Sequence, residues 1–405
     1  MTDTGALRRE ENTSAGSSGE SQRKNDGVIE GKWGHKRAPA FGYDWPLLIA
    51  TLLLISFGLI MLYSASSYIS LSDYGYSYFY ARKQLFVSLF GLLVMVFVSA
   101  LPLKFWKVIS IPAFIFGLFL IFLVTTSLGV ESNGAKRWLD IGGVSVQPAE
   151  VLKLATIMML AFVVSKLEKW LDDWRIFFPV FILGLVPAGL VAVVTDDLGT
   201  AIIFFGILFV MLFVACKKYR YLVISAVVLI AAAVYFIASE PYRLLRIKAW
   251  LNIEDYADTT GYQIMQGLYA IGSGGIFGKG LGKSTQKLSF VPEAENDMIF
   301  SIICEELGLI GVIILCLLYG VILWRMKKVF DRTLDTYARL AVAGVAAHIS
   351  IQAIVNMCVV TNLLPNTGVP LPFVSYGGTS TLILLAEIGL VMAASRSSYK
   401  SGKKT

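Results

Sequence analysis

Asp297 is the side chain whose position most clearly suggests chemistry, because it stands where a polar loop enters a long apolar run. The local sequence is Phe-Val-Pro-Glu-Ala-Glu-Asn-Asp-Met-Ile-Phe, from Phe290 to Phe300. A carboxylate at a membrane boundary is costly to desolvate, and partial burial would raise its pKa and make it a better general base. The position also suits a helix N-cap. The two interpretations are compatible, because a capping carboxylate also points at the mouth of a helix bundle.

Two further pairs of charged residues lie in apolar sequence. Glu305 and Glu306 follow Asp297 in the same run, which places them roughly 12–14 Å deeper in one helix at ~1.5 Å per residue. Intramembrane carboxylates usually pair or line a cavity, so we expect structural pairing. Glu150 and Lys153 share a helix face at i and i+3. They form either a structural salt bridge or a site where the lysine meets a phosphate group.

A glycine-rich stretch at 271–284 is similar to a phosphate loop but does not match one. The pattern GxxxxGK[ST] requires a glycine five residues before Gly282, and Phe277 occupies that position. What remains is a flexible loop rich in backbone amides, which could wrap an anionic headgroup. Three lysines accompany this loop: Lys279, Lys283 and Lys287.

These residues belong to a chain that is too apolar for a soluble protein. Of its 405 residues, 56% are hydrophobic and only 16% are charged, whereas soluble domains average about 25% charged. About 20 apolar residues cross a bilayer as a helix, and only helices and closed barrels satisfy their backbone there. The runs are too long for barrel strands. The sequence therefore predicts an all-α, polytopic membrane helical bundle.

Ten apolar runs are predicted to form the transmembrane helices: 47–66, 84–101, 108–126, 149–165, 176–193, 200–216, 220–238, 298–323, 340–361 and 377–395. We assign them to one domain, 45–396. The polar segment 1–44 cannot bury enough surface to fold and is expected to be a disordered tail. Residues 397–405 form a second, short tail. No cleavage site follows the first run, so that span is expected to remain in the protein.

The basic residues predict the orientation of the bundle. One set of loops and the C-terminal tail carry most of them, which makes that side cytoplasmic by the positive-inside rule and places both termini inside. The opposite short loops hold only Arg82, Lys83, Lys136 and Arg137. Lys136 and Arg137 run against the trend and favour either anion binding or a solvated turn. Loop 239–297 is then outside, where its length and apolar content predict an ordered cover over the bundle mouth.

Several function classes are disfavoured. The net charge of +7 comes from basic residues scattered among short loops, which argues against a nucleic-acid partner. The four cysteines lie in or beside apolar runs without a CxxC pair, and the two histidines are far apart, so neither a disulfide framework nor a zinc site is predicted. At the outer mouth, three prolines between Pro365 and Pro372 prevent a regular helix. This segment favours a re-entrant loop lining a site.

Several strings, in this order, resemble the SEDS family of bacterial membrane glycosyltransferases, and the FtsW and SpoVE branch more than RodA. They are 133–139, 147–154, 197–201, 261–263, the glycine-rich loop, 292–297, 305–308 and 370–378. The resemblance runs from about position 44 to about 395. Two motifs depart from the family pattern. Asn296-Asp297-Met298 replaces Thr-Asp-Phe, and Asp196 replaces a proline.

The resemblance implies about ten spans and polymerisation of peptidoglycan glycan strands from lipid II, with the family's catalytic aspartate at Asp297. The 4-hydroxyl of one N-acetylglucosamine would attack the lipid-linked strand, and undecaprenyl pyrophosphate would leave. Asp297 would be the general base. The expected substrate-binding residues are Lys136, Arg137, Glu150, Lys153, Gln263, Lys283, Gln286, Lys287, Glu293 and Ser375. No cofactor or dedicated metal cage is evident, although a divalent cation, Mg²⁺ or Mn²⁺, could share the pyrophosphate charge.

The family also implies partners and a place in the cell. We expect a class B penicillin-binding protein as the cross-linking transpeptidase, together with other division proteins, in the bacterial cytoplasmic membrane and at the division septum. Division, elongation and sporulation all stay open. Two alternatives remain. One is a lipid II flippase with a polar path lined by Glu305, Glu306, His348, Gln352 and Asn356, although no inverted repeat is recognisable. The other is a non-catalytic scaffold that recruits division proteins.

Overall fold

A computed structural model describes residues 42–132, 135–238 and 241–402 of the chain. Residues 1–41 of the tail that was expected to be disordered therefore lie outside the described residues. Asp44, assigned to that tail from the sequence, is instead part of the fold: it caps the first helix and pairs with Arg325 at 2.7 Å. At the other end the last helix extends to position 402, so most of the predicted C-terminal tail, 397–405, is helical.

The described residues form twelve α-helices and one small sheet. The helices that precede loop 239–297 are α1 (Trp45–Tyr74), α2 (Phe79–Ala100), α3 (Leu103–Leu123), α4 (Pro148–Leu167), α5 (Trp174–Val194), α6 (Leu198–Ala215) and α7 (Arg220–Ala238). The others are α8 (Pro241–Leu251), α9 (Tyr262–Gly274), α10 (Ile299–Arg332), α11 (Thr336–Val360) and α12 (Gly378–Gly402). The strands are β1 (Gly129–Ser132), β2 (Ala135–Ile141) and β3 (Val144–Val146).

Nine helices among the described residues are long and apolar enough to cross a membrane. They are α1 to α6 and α10 to α12, and α7 supplies a further apolar helix. The predicted all-α bundle of about ten transmembrane helices is confirmed. Helices α4, α11 and α12 are mostly buried inside it, whereas α2 and α3 expose large apolar side chains over most of their length. Such outward apolar faces are expected where lipid replaces water as the solvent.

Local signals explain where several helices begin and end. Asp197 and Asp335 accept hydrogen bonds from the first-turn amides of α6 and α11, which satisfies donors that have no partner within the helix. Helix α4 begins with Pro148, whose missing N–H costs nothing at that position. Helix α1 ends at Gly75, which adopts a left-handed conformation with φ of 78°.

Helix α10 is broken near its beginning, which the sequence did not predict. Gly308 has φ of 63° and ψ of −158°, so the helical hydrogen-bond ladder stops there. The glycine-rich loop repairs the break through four backbone bonds of 2.9–3.3 Å: Lys279 N to Glu305 O, Gly280 N to Glu306 O, Leu309 N to Gly275 O and Ile310 N to Ile276 O. Irregular backbone at membrane depth is tolerated where protein satisfies it in this way.

The long loop 239–297 is ordered in its described part, as predicted, and contains α8, a 3₁₀ turn at Ile253–Tyr256, and α9. The proline-rich segment 361–377 contains no helix, and it enters the bundle beside α1. A Cβ added at Gly58 of α1 would lie 2.5 Å from the carbonyl oxygen of Phe373, so only glycine allows this approach. The three strands between α3 and α4 pair antiparallel in the order β1-β2-β3 and were not predicted.

Candidate active site

Asp297 lies immediately before α10, between α9, α11 and the segment 361–377. Its Oδ1 accepts a hydrogen bond of 3.2 Å from Gln263 Nε2 of α9, and no ion pair joins it to any described residue. A Cβ placed on Gly368 would lie 3.7 Å from Oδ2, so the segment 361–377 closes over the carboxylate. The N-cap interpretation is wrong: α10 is capped by Met298 without any side-chain hydrogen bond.

The surroundings of Asp297 favour the protonated carboxyl group. The pKa of Asp297 is raised to about 7, mainly by burial. The negative charges of Glu293 and, to a smaller extent, Glu295 also raise it. Hydrogen bonds from its own backbone amide and from Gln263 oppose this effect only in part. A carboxylate with a pKa near neutrality can accept a proton at physiological pH, which is the property that a general base requires.

Two predicted site residues hold Asp297 in place. Gln263 accepts a hydrogen bond of 2.9 Å from Asn366 Nδ2, so its own NH₂ group must face Asp297. Glu293 is exposed and adopts φ of 53°, and its carbonyl accepts hydrogen bonds from Asn296 N at 3.0 Å and Met298 N at 3.3 Å. The resulting turn fixes the backbone on both sides of Asp297.

Ser375 connects two segments through hydrogen bonds. Its hydroxyl donates to the carbonyl of Asn296 at 2.6 Å and accepts from Leu371 N at 2.8 Å. The side chain is buried, so both hydrogen bonds connect protein to protein. Ser375 therefore ties the proline-rich segment to the residue before Asp297, and its predicted contact with substrate has no surface to act through.

A cleft of about 280 Å³ opens beside Gln263. Its lining includes six polar or aromatic side chains: Arg246, Trp250, Tyr262, Gln263, Asn362 and Asn366. Trp250 Nε1 donates to the carbonyl of Asn362 at 3.0 Å, and Arg246 donates to the carbonyl of Asn366 at 3.4 Å, so α8 docks on the proline-rich segment. Aromatic, amide and cationic groups together suit a hydroxylated, partly anionic ligand. Sequence reasoning missed Arg246 and Trp250, for which the amphipathic pattern of α8 was the available signal.

Glu305 and Glu306 are paired inside the protein, as the structural interpretation predicted. Lys279 contacts Glu305 at 2.6 Å, and Lys287 contacts Glu306 at 2.8 Å. The glycine-rich loop does wrap an anion, but the anion belongs to this chain: its backbone amides and hydroxyls donate to the same two carboxylates.

The three predicted substrate contacts in this loop have different surroundings. Lys287 is buried, and it neutralises Glu306 instead of facing the outer mouth. Lys283 is exposed, so it is free to meet an anion from outside. The amide of Gln286 donates to Glu305 at 3.3 Å, and its buried side-chain carbonyl has no protein partner among the described residues.

The other predicted cations also differ in surroundings. Lys153 is buried and pairs with Glu150 at 2.8 Å, which supports the structural salt bridge and not an exposed phosphate site. Lys136 is exposed on β2. Arg137 donates to the carbonyls of Thr195 at 3.1 Å and Asp196 at 2.8 Å, so it docks the sheet on the turn between α5 and α6. No carboxylate of a described residue pairs with its charge.

Neither a dedicated metal cage nor a polar translocation path has support in the described part of the chain. No three His, Cys, Asp or Glu residues there lie close enough to hold a metal ion. The groups suggested for a flippase path are engaged with protein: both glutamates pair with lysines, and His348 contacts Glu387 at 2.8 Å.

Comparisons with known proteins agree with this geometry. Residues 45–400 match the FtsW, RodA and SpoVE family, described as cell cycle proteins. Stage V sporulation protein E of Bacillus subtilis is 38% identical over 87% of this chain and 97% of its own. A probable peptidoglycan glycosyltransferase FtsW of Trichlorobacter lovleyi is 36% identical over 86% of this chain and 92% of its own.

Two solved structures share the fold. A chain from a peptidoglycan synthase complex, described as coordinating polymerization and crosslinking, superposes with a TM-score of 0.73 at 27% identity. The match covers 88% of this chain and 99% of that one. The rod shape determining protein RodA of Thermus thermophilus has a TM-score of 0.64 at 28% identity, over 88% of this chain and 98% of its own.

Proposed function

The chain belongs to the FtsW, RodA and SpoVE family of cell cycle proteins, and we propose how it works as a peptidoglycan glycosyltransferase. It polymerises glycan strands from lipid II in division or sporulation. The observation that carries the assignment of Asp297 as the base is its lack of a cation beside the cleft at Gln263, where its only side-chain partner is Gln263 itself. The buried glutamates of the described helices, in contrast, each pair with a lysine or a histidine: Glu150, Glu305, Glu306 and Glu387.

The reaction is a displacement at an anomeric carbon. The 4-hydroxyl oxygen of an incoming N-acetylglucosamine forms a bond to the anomeric carbon of the lipid-linked strand. The bond from that carbon to the pyrophosphate oxygen breaks, and undecaprenyl pyrophosphate leaves with the electron pair. Asp297 accepts the hydroxyl proton, a contribution typically worth about 10²–10⁴-fold in rate.

Cations must balance the charge that develops on the pyrophosphate, and such electrostatic stabilisation is usually a large part of catalysis. Lys153 and Lys287 are each held by a carboxylate of the chain, so we omit them from this role. The proposal retains Lys136, Arg137 and Lys283, and adds Arg246, which lines the cleft beside Gln263. A divalent cation that accompanies the substrate would share this charge.

The chain is a multi-pass membrane protein, and we propose that a class B penicillin-binding protein acts with it. Support for such a partner comes from the solved relative that belongs to a synthase complex for polymerization and crosslinking. Both termini would lie in the cytoplasm, with the cleft on the outer side, where the basic loops are few. Placement at the division septum with other division proteins is part of the same proposal.

The test is glycan synthesis from purified lipid II, with the partner transpeptidase present. We expect the Asp297→Ala and Asp297→Asn variants to form strands about 10²–10⁴-fold more slowly than wild type, because neither can accept the proton. Thermal unfolding of each variant in detergent serves as the control for folding. Equal strand formation by a folded Asp297→Asn protein would remove Asp297 from the mechanism.

A further inference from the structure

Helix α11 carries a buried polar stripe that the catalytic proposal does not use. His348, Gln352 and Asn356 recur every four residues, so they lie on one face of the helix. All three are at most 1% exposed. At ~1.5 Å per residue the stripe extends roughly 12 Å along the helix axis. Buried polar groups are costly unless they are hydrogen-bonded, so the contacts of this stripe indicate what it does.

The first two levels of the stripe form one connected network. His348 Nδ1 contacts Glu387 of α12 at 2.8 Å, and His348 Nε2 contacts Gln352 Oε1 at 2.9 Å. Lys153 Nζ of α4 donates to the same Oε1 at 2.9 Å. Gln352 Nε2 donates in the other direction, to the carbonyl of Pro370 at 3.0 Å.

The network allows only one orientation of the Gln352 amide. Lys153 can only donate and the Pro370 carbonyl can only accept, which assigns the oxygen and the nitrogen of the amide. His348 Nε2 must then carry a hydrogen, and one proton lies between Nδ1 and Glu387. Wherever that proton sits, the two pairs, Glu387 with His348 and Glu150 with Lys153, carry no net charge together.

The third level reaches the catalytic segment itself. Asn356 Nδ2 donates to the backbone carbonyl of Asp297 at 2.7 Å and to that of Val369 at 2.8 Å. Gln352 therefore holds Pro370, and Asn356 holds the residue before it. The stripe fixes the part of the proline-rich segment where Gly368 closes over Asp297.

We propose that Gln352 is a positioning residue for the reaction: its amide transmits the placement of the buried ion pairs on α4 and α12 to the proline-rich segment that encloses Asp297. This inference rests on the proposed function. Gln352 makes no hydrogen bond to Asp297 and acts through the carbonyl of Pro370. Loosening that contact would move the segment and let more water reach the Asp297 carboxylate.

The consequence is measurable as a pH profile. The charged groups that face Asp297 are Glu293 and Glu295 of its own segment, whereas α9 and α11 present the neutral amides of Gln263 and Asn356. Burial is the largest cause of the raised pKa of Asp297. Added water would lower that pKa, and the acid limb of the activity profile would move to lower pH. A residue that only helps folding would reduce active protein equally at every pH.

The experiment compares Gln352→Met with wild type in lipid II polymerisation at saturating substrate across pH 5–9. Methionine is neutral and similar in volume to glutamine, but it cannot donate to Pro370. We expect about a 10–100-fold loss of maximal rate and an acid limb displaced downward by at least about half a pH unit. If Gln352→Met does not fold, Gln352→Leu, which is also neutral, carries the same test.

Ser350→Ala is the matched control, because the Ser350 hydroxyl donates to Ala347 of its own helix, at 3.2 Å, and to no other described residue. A Gln352 variant with a wild-type rate, or with a reduced rate and an unmoved acid limb, overturns the inference. Asp297→Asn is assayed in parallel to separate the two proposals. If it is inactive while the Gln352 variants behave as wild type, only this inference fails. If it is active, the base assignment fails and the inference fails with it.

Discussion

Asp297 and the Glu305–Glu306 pair lie within ten residues of one another, yet the protein treats their carboxylates in opposite ways. Asp297 receives one side-chain hydrogen bond, 3.2 Å from Gln263. Glu305 and Glu306 each have a lysine within 2.8 Å, together with amide and hydroxyl donors from the glycine-rich loop. Donors to a carboxylate stabilise its charged form, whereas burial without donors favours protonation. The number of donors, and not burial alone, separates Asp297, the proposed base, from Glu305 and Glu306.

The two regions are nevertheless linked. Glu305 and Glu306 hold the glycine-rich loop, and that loop repairs the break of α10 at Gly308. Asp297 stands just before the same helix, about three helical turns before the break. The lysine-paired carboxylates therefore hold the loop that fixes the first turns of α10, the helix that Asp297 precedes.

The largest expected effect is on stability, when one partner of the buried Glu306–Lys287 pair is removed. Glu306→Ala would leave Lys287 as a buried charge with no carboxylate, and breaking a buried pair in this way costs about 3–5 kcal/mol. The measurement is thermal unfolding in detergent. The double variant Glu306→Leu with Lys287→Met removes both charges and should recover much of the loss. A single variant as stable as wild type would show that the pair does not hold the loop.

The next prediction concerns Asp297, the proposed base. A general base must be ionised, so strand formation should rise with pH through about 7, the pKa of Asp297. Glu293→Gln removes a negative charge that raises this pKa, so the acid limb should shift to lower pH. Glu131→Gln makes the same change of charge on the exposed strand β1 and serves as the control. An acid limb that stays in place in Glu293→Gln would contradict the electrostatic account.

The sequence predicted one side of this comparison better than the other. The apolar runs and the polar-to-apolar boundary at Asp297 are local patterns, and both the bundle and the place of this acid follow from them. The break at Gly308 could not be predicted, because it depends on backbone bonds to a loop some thirty residues earlier in the chain. Lys287 was misplaced for a related reason: its partner, Glu306, becomes a neighbour only when that loop folds back on α10.

The smallest effect should come from replacing Lys279, the lysine that pairs with Glu305. Its side chain is 33% exposed, against 6% for Lys287. Lys279→Met would leave Glu305 with donors that include the hydroxyls of Ser284 and Thr285 and the amides of Thr285 and Gln286. Because Lys279 is partly solvated and Glu305 keeps these donors, thermal unfolding should shift less than in the Lys287 variant, and strand formation should not change. Lys287→Met, the matched change, should cost several times more, because Glu306 loses its only lysine in a site without solvent. If the two methionine variants were equally unstable, exposure of the lysine would not govern the strength of these pairs. The difference between Asp297 and the two glutamates would then have to rest on hydrogen-bond donors alone.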